Sequence, residues 1–272
     1  MSMTGGISFF EKSKALYAGG SSCVASSNTA DQNLFLGQNK YFKWKSSGSD
    51  DMTTETLTIT LAESVAINRI FLLGINFKAF QIQYGAGSDF SNVTGLDSYS
   101  GSAIDVSDYA GDAAYFEFDE VTTDTIIITI DTTQTADAEK EIVQFIATNE
   151  IGTLTGFPTI TGGAADRTER RAVSVSGRSH IEKGYESFSF SLELSSYNVQ
   201  ADLDVLEGLH DRNEPFLVWL CGGKPTNFRF KQRGFRVGDV YQMQTVGEMT
   251  SGYYRNIYPA GVEKRYRFEE AI

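Results

Sequence analysis

The chain has 272 residues, 41% of them hydrophobic, with 19 Phe, 13 Tyr and only 4 Pro, so it can bury a core and is not disordered by composition. Its net charge of −12 lies wholly in residues 1–160, which carry 8 Lys and Arg against 20 Asp and Glu, while residues 161–272 balance at 15 each. An acidic surface is a poor match for nucleic acid, where binding depends on neutralising phosphates. Two cysteines, Cys23 and Cys221, offer neither a disulfide framework nor metal-ligand spacing, and no apolar run is long enough to span a membrane. The N-terminus lacks the charged and apolar regions of a signal peptide, which points to synthesis in the cytoplasm.

In chain order, residues 1–55 read as irregular, rich in Ser, Gly, Asn and Asp, with one aromatic cluster at Tyr41-Phe-Lys-Trp44. Leu57, Ile59 and Leu61 then alternate with threonines, the period of a half-buried strand. Ile67–Leu73 reads as a central strand, Phe80, Ile82 and Tyr84 as the next, and Gly85-Ala-Gly87 as a turn. Residues 86–112 form a long polar loop in this reading. Strands follow at Tyr115–Phe118, Ile126–Ile130 and Ile142–Ile146, and six or so short strands suggest a β-sandwich over residues 1–151. Composition and charge change over 152–168, read as a linker.

Residues 169–272 read as a second β unit, a barrel or sandwich crossed by one helix, so the expected fold class is all-β with two domains. Val173 and Val175 start it, and Ser176–Gly184 is a turn region. Phe188, Phe190, Leu192 and Leu194 alternate with Ser and Glu. Leu203, Leu206 and Leu209 share a helical face near 199–210, behind the possible cap Asn198. Strands at Phe216–Cys221, Val240–Thr245, Tyr253–Tyr258 and Arg265–Phe268 complete it.

Catalysis needs a base, nucleophile or metal in a defined constellation, and none is visible. His180 falls in a turn and His210 near a helix end; neither has the partners of a catalytic or metal-binding histidine. Nucleophile-elbow, phosphate-loop and zinc-protease motifs are absent, so no enzyme activity, cofactor or metal is expected. Asp105, Asp108 and Asp112 share a loop that could meet Ca²⁺ or simply be solvated. Tyr41 and Trp44 could stack on a sugar or plug the end of the sandwich. Arg229, Lys231, Arg233 and Arg236 form a basic stripe, either a solvated face or a contact for the acidic domain of a neighbouring copy.

Residues 25–150 resemble a discoidin-type (coagulation factor 5/8 C-terminal, galactose-binding-like) jelly roll. The carriers are Asn28-Thr-Ala-Asp31, Trp44-Lys-Ser46, Leu57–Leu61, Ile67–Phe71, Phe77–Tyr84 and Ile142–Ile146. This resemblance implies a possible glycan site on loops near Asp31, Tyr41 and Trp44. Residues 169–272 are similar to the C-terminal domains of distal and minor tail proteins of tailed bacteriophages. Tyr185–Leu194, the short helix, Pro215–Leu220, Val240–Gln244 and Arg265–Glu270 carry that likeness. It implies a non-enzymatic structural protein of the virion tail tip, a hexameric ring joining tail-tube and tip or hub proteins. A carbohydrate-binding adhesin for host-surface glycans is the alternative.

Overall fold

The computed structural model describes residues 7–37, 42–95, 99–154, 159–173, 179–194, 200–210, 212, 216–219, 241–246 and 264–270. The chain is all-β, with one α-helix among the described residues, and it divides into two compact units. The first centres on Phe10–Glu150; the second takes Ile151–Ile272 together with Gly5–Phe9.

The first unit is built on two long strands, β4 (Glu55–Leu73) and β10 (Ala113–Thr133), paired antiparallel along their length. Twenty-one extended residues would span roughly 70 Å. Yet Gln134 Nε2, just past the end of β10, donates to the carbonyls of both Phe77 (3.2 Å) and Gly111 (2.7 Å), and Gly111 lies just before its start. The ribbon must therefore fold back on itself. It bends where the register shifts, between Glu117 and Val121 and between Thr123 and Thr125.

Each half of the ribbon recruits its own neighbours. The Glu55–Thr60 half gains β2 (Ser22–Ala25) on one side. On the other it gains β5 (Phe77–Tyr84), which carries β6 (Ser88–Asp89) and β9 (Ile104–Val106). The Ile67–Leu73 half gains β12 (Gln144–Thr148) and β7 (Val93–Gly95), the latter paired with β8 (Ser100–Gly101). Leu57, Ile59, Ile126 and Ile128 from one half pack with Ile70, Leu72, Phe116 and Phe145 from the other in one buried cluster. One sheet thus becomes two layers of a sandwich. A short pair, β3 (Trp44–Lys45) and β11 (Glu141–Ile142), lies at the end where both ribbon ends meet.

The second unit holds a seven-stranded sheet. Its order is β13 (Glu150–Thr153), β1 (Ser8–Glu11), β16 (Phe216–Trp219), β17 (Tyr241–Val246), β18 (Lys264–Glu270), β15 (Ser179–Leu194) and β14 (Thr159–Val173). The helix α1 (Gln200–His210) buries Leu206 and Leu209, and Val205 lies where a Cβ on Gly152 would collide with it, 2.6 Å from Cγ2. No described helix is long and apolar enough to cross a membrane.

Four sequence expectations are corrected. Residues 1–55 contain β1, β2 and β3, and the polar stretch 86–112 contains β6–β9; these strands are short and borrow their stability from long neighbours rather than from their own alternation. The linker expected over 152–168 is instead strand up to Thr153 and from Thr159 onward. Two residues, Gly163 and Ala164, oppose one on β15, and this bulge breaks the alternation a strand would show. The turn expected over 176–184 gives way to β15 from Ser179, so His180 is a strand residue; that stretch is charged or polar at most positions and hides its period. The expected strand Tyr253–Tyr258 lies outside the described residues.

Candidate functional site

The folded ribbon gathers segments at one end of the first unit: 26–37, 42–54, 74–76, 107–112 and 134–143, tied by hydrogen bonds such as Ser46 N–H to Lys140, Ile75 N–H to Asp112, Asn76 to Glu139 and Gln134 to Gly111. Trp44 and Ile142 face each other across the β3–β11 pair, both fully buried in the core cluster. The Trp44 indole N–H donates to the Ser27 carbonyl at 3.3 Å. Trp44 is therefore the plug of the sandwich end and has no face open for stacking, which corrects its place in a sugar platform. The reason is its register: strand pairing turns Trp44 and Ile142 inward while Lys43 and Lys45 stay out.

Asp31 is half-buried and structural in its contacts. Its Oδ2 accepts from Asn28 Nδ2 at 3.1 Å, and the same amide donates to the Lys45 carbonyl at 2.9 Å. Asn28 sits at φ 45°, a left-handed turn position that Asn tolerates better than most residues. Tyr41 lies outside the described residues, as do Arg229, Lys231, Arg233 and Arg236.

Around the plug lies a ladder of ion pairs. Glu141 takes Lys43 on one oxygen and Lys45 at 2.6 Å on the other, while Lys45 also reaches Glu139 at 3.1 Å. Burial pushes the Glu141 carboxyl up, but hydrogen bonds from Lys43 and Lys45 outweigh it and hold the group below its usual range. Hydrogen bonds to Glu141 and Glu139 raise Lys45 in turn.

The loop 46–53 is fixed from inside. Lys140 is 1% exposed, and its ammonium donates to the carbonyls of Asp50 (3.0 Å) and Thr53 (2.9 Å). Asp51 accepts from the Thr133 backbone N–H and hydroxyl, both at 3.0 Å, and from the Asp137 N–H at 3.2 Å. Partial desolvation raises the Asp51 carboxyl, and these donors bring it net below its usual value. On this rigid frame two large apolar side chains are exposed, Phe42 at 52% and Met52 at 93%. The fold thus presents Phe42, next to Lys43 and the Glu141 ladder, where the sequence pointed to Trp44.

Asp105, Asp108 and Asp112 do not converge. Asp108 pairs with Lys78 at 3.5 Å, Asp105 lies on β9, and the Asp112 carbonyl accepts from Ile75 N–H at 3.0 Å. Among the described residues no group of three His, Cys, Asp or Glu side chains could hold a metal. A second buried cation lies on the outer face of the second layer. Arg69, 6% exposed, pairs with Glu117 at 3.1 Å and with Glu150, beside Tyr115, whose phenol is pushed up by burial. A charge inside the run Ile67-Asn-Arg-Ile-Phe71 was the available sign of this cluster, since a buried charge requires a partner. Lys140 gave no such sign, because its partners are backbone carbonyls.

No family model matches the chain, and no curated protein does either. Among solved structures, chitosan-binding module 1 of a chitosanase/glucanase from Paenibacillus sp. IK-5 is similar over 51% of this chain and 98% of its own, at 14% identity and a TM-score of 0.39. The family 32 carbohydrate-binding module of NanJ from Clostridium perfringens, solved with galactose, covers 50% of this chain and 98% of its own, at 12% identity and 0.38. Another Clostridium perfringens module, solved with GalNAc-β-1,3-galactose, covers 49% and 98%, at 12% and 0.36. With scores of this size, the two-layer fold of the first unit rests on its strand register and core.

Proposed function

We propose that the chain is a non-enzymatic binding protein whose first unit recognises carbohydrate at its plugged end. The observation that carries this reading is the half-exposed Phe42, held beside the Lys43–Glu141–Lys45–Glu139 ladder on a loop end fixed by Trp44, Lys140 and Asp51. Sugar rings present an apolar face and a rim of hydroxyls. An exposed aromatic supplies the stacking face, and paired ammonium and carboxylate groups supply donors and acceptors. A frame that does not reorganise on binding lowers the entropic cost of capture. Galactose and GalNAc-β-1,3-galactose, the sugars bound in two of the similar modules, are the first to try.

The test is a glycan array read with wild type, followed by titration calorimetry with Phe42→Ala. Binding by wild type that Phe42→Ala removes, with thermal unfolding unchanged, is the expected result. Silence of the wild type across neutral, amino and acidic glycans sinks the reading.

For the second unit we propose a companion role in a virion tail tip. That reading rests on the sequence resemblance of Tyr185–Leu194, the short helix, Pro215–Leu220, Val240–Gln244 and Arg265–Glu270. In that setting the first unit would be the glycan-contacting module of a structural protein. Detection of the chain in purified tailed particles supports it, and its absence from them removes it.

A further inference from the structure

We infer that the second unit self-associates through the edge of β14 that no described strand covers, two copies pairing antiparallel about Thr168. The proposal goes beyond glycan recognition and does not depend on it. It starts from an unbalanced hairpin. β15 pairs with β18 only from Ser189 to Leu194, so residues 179–188 pair, among the described residues, with β14 alone. Among the described residues, 165–173 and 179–188 thus form a two-stranded arm, and β14 is the last strand of its sheet. An isolated two-stranded ribbon is marginal in water, and a long edge is a template for another strand.

The first unit treats its edges differently. On β2 the Cys23 and Ala25 N–H groups donate to the side chains of Asn33 (2.7 Å) and Gln32 (3.1 Å). On β9 the Asp105 N–H donates to the Tyr99 hydroxyl at 3.0 Å. Those edges are occupied by the chain's own side chains and cannot accept a strand there.

The occupant of the β14 edge follows from its charges. Residues 166–170 read Asp-Arg-Thr-Glu-Arg. Antiparallel pairing about Thr168 sets Asp166 opposite Arg170 of a second copy and Arg167 opposite its Glu169, and the two-fold repeats both pairs. Neighbouring registers fail. A slide of one residue opposes Asp166 to Glu169 or Arg167 to Arg170; a slide of two sets Arg167 or Glu169 against itself. Directly opposed like charges destabilise a sheet and opposite charges stabilise it, so a single register is selected. The bulge near this point lies on β15, where Gly184 and Tyr185 oppose Thr168, and it leaves β14 itself regular from Ala165 to Val173. Across β15, Arg167 already stands opposite Glu186, Glu169 opposite Lys183 and Arg170 opposite Glu182. The four-stranded sheet would then carry rows of alternating sign, Glu186–Arg167–Glu169–Lys183, through the two copies.

The test is sedimentation velocity of the full chain over a wide concentration range, with a charge exchange. Wild type is expected to form a dimer that weakens as salt rises. Arg170→Asp should weaken it about tenfold, since two attractive pairs become repulsive. The double change Asp166→Arg with Arg170→Asp should restore it, because the pairs return with signs exchanged. Both variants share the same clash with Glu182, so a hairpin that simply fails to fold cannot mimic the rescue. Thr168→Cys should also cross-link to itself on oxidation, since directly opposed Cα atoms lie within disulfide reach, while Ala172→Cys should not. A wild type that stays monomeric overturns the inference. So does a larger assembly in which Thr168→Cys fails to cross-link and the exchange fails to rescue.

Discussion

Two buried cations in the first unit do different jobs. Arg69 meets carboxylates from two elements, Glu117 on β10 and Glu150 at the end of the unit. The hydrogen bonds of the Lys140 ammonium go to the carbonyls of Asp50 and Thr53, and its charge reaches the Asp51 carboxylate without pairing with it. The difference follows from the groups themselves. A planar guanidinium fork fits carboxylates arriving from different directions, whereas a compact ammonium fits carbonyl dipoles converging from one loop. The lesson is that the sandwich separates its tasks: Arg69 ties together strands that must not move, and Lys140 shapes a loop that must present something.

The largest effect should come from breaking the Arg69 cluster. Arg69→Met leaves two carboxylates together in a half-buried place, and removing one partner of such a group costs about 3–5 kcal/mol. Urea unfolding of the first unit should show it as a lower midpoint, and Arg69→Lys should recover only part. Lys140→Met should cost less, about 2–3 kcal/mol, because it orphans two carbonyls rather than two charges. The two variants should also differ in place: amide exchange should quicken over 46–53 in Lys140→Met and along β4, β10 and β12 in Arg69→Met. Equal, uniform quickening in both would erase the distinction.

A smaller effect is expected at Gly74, at the turn that returns the ribbon toward β5. Its φ is 63°, and a Cβ there would lie 2.4 Å from Val143 Cγ2. Gly74→Ala should cost about 1–2 kcal/mol from the backbone conformation alone, with the Val143 clash added to it.

The pH dependence sharpens the comparison further. Asp51 and Glu141 bind protons less readily when folded than their ordinary values of 3.8 and 4.5 imply. The unfolded chain therefore takes up more protons in acid, so their contribution is present above those values and is lost as pH falls through the lower folded ones. Melting temperature should drop below about pH 4.5. Asp51→Asn and Glu141→Gln should flatten that drop, since neither amide titrates. Lys45 has the opposite sign, being raised above 10.5 when folded, so its share is held below that pH and lost as pH climbs through the folded value.

Much of the first unit was legible because alternation survives in its long strands. Leu57, Ile59 and Leu61 are buried on one face as their spacing implied, while the expected strand Ile142–Ile146 is split, Ile142 pairing with Trp44 on β3 and only Gln144 onward pairing with β4. What could not be read was continuity. Two expected strands, Leu57–Leu61 and Ile67–Leu73, are one strand with a bend: Glu63 and Ser64 lie at the register shift between the Thr60–Thr125 and Val65–Thr123 pairs, where no apolar pattern marks a strand. At the candidate site, burial could not be read from the sequence. Phe42 and Trp44 lie at the plugged end, but which of the two turns inward depends on the register of Trp44 against Ile142, and that register is set by residues almost a hundred positions apart. In the second unit the hairpin ran through what composition marked as linker, since a charged ribbon and a solvated loop use the same residues.

The smallest expected effect on stability is the one that decides function. Phe42 is half-exposed, so truncating it removes little buried apolar area, and Phe42→Ala should shift stability by less than about 0.5 kcal/mol. Trp44→Ala, two residues on, should cost about 3–5 kcal/mol, because it empties the plug of the core. A glycan-binding assay therefore separates the two roles. If Phe42→Ala loses binding while keeping its melting temperature, recognition sits on the exposed rim and Trp44 is needed only to hold the rim in place. If Phe42→Ala binds as wild type does, the rim is not the sugar face, whatever Trp44→Ala shows. Glu141→Gln then sharpens the surviving case. It keeps the geometry of the ladder but weakens its hold on Lys43 and Lys45, so a loss of binding intermediate between wild type and Phe42→Ala would assign the ladder to sugar hydroxyls rather than to the frame.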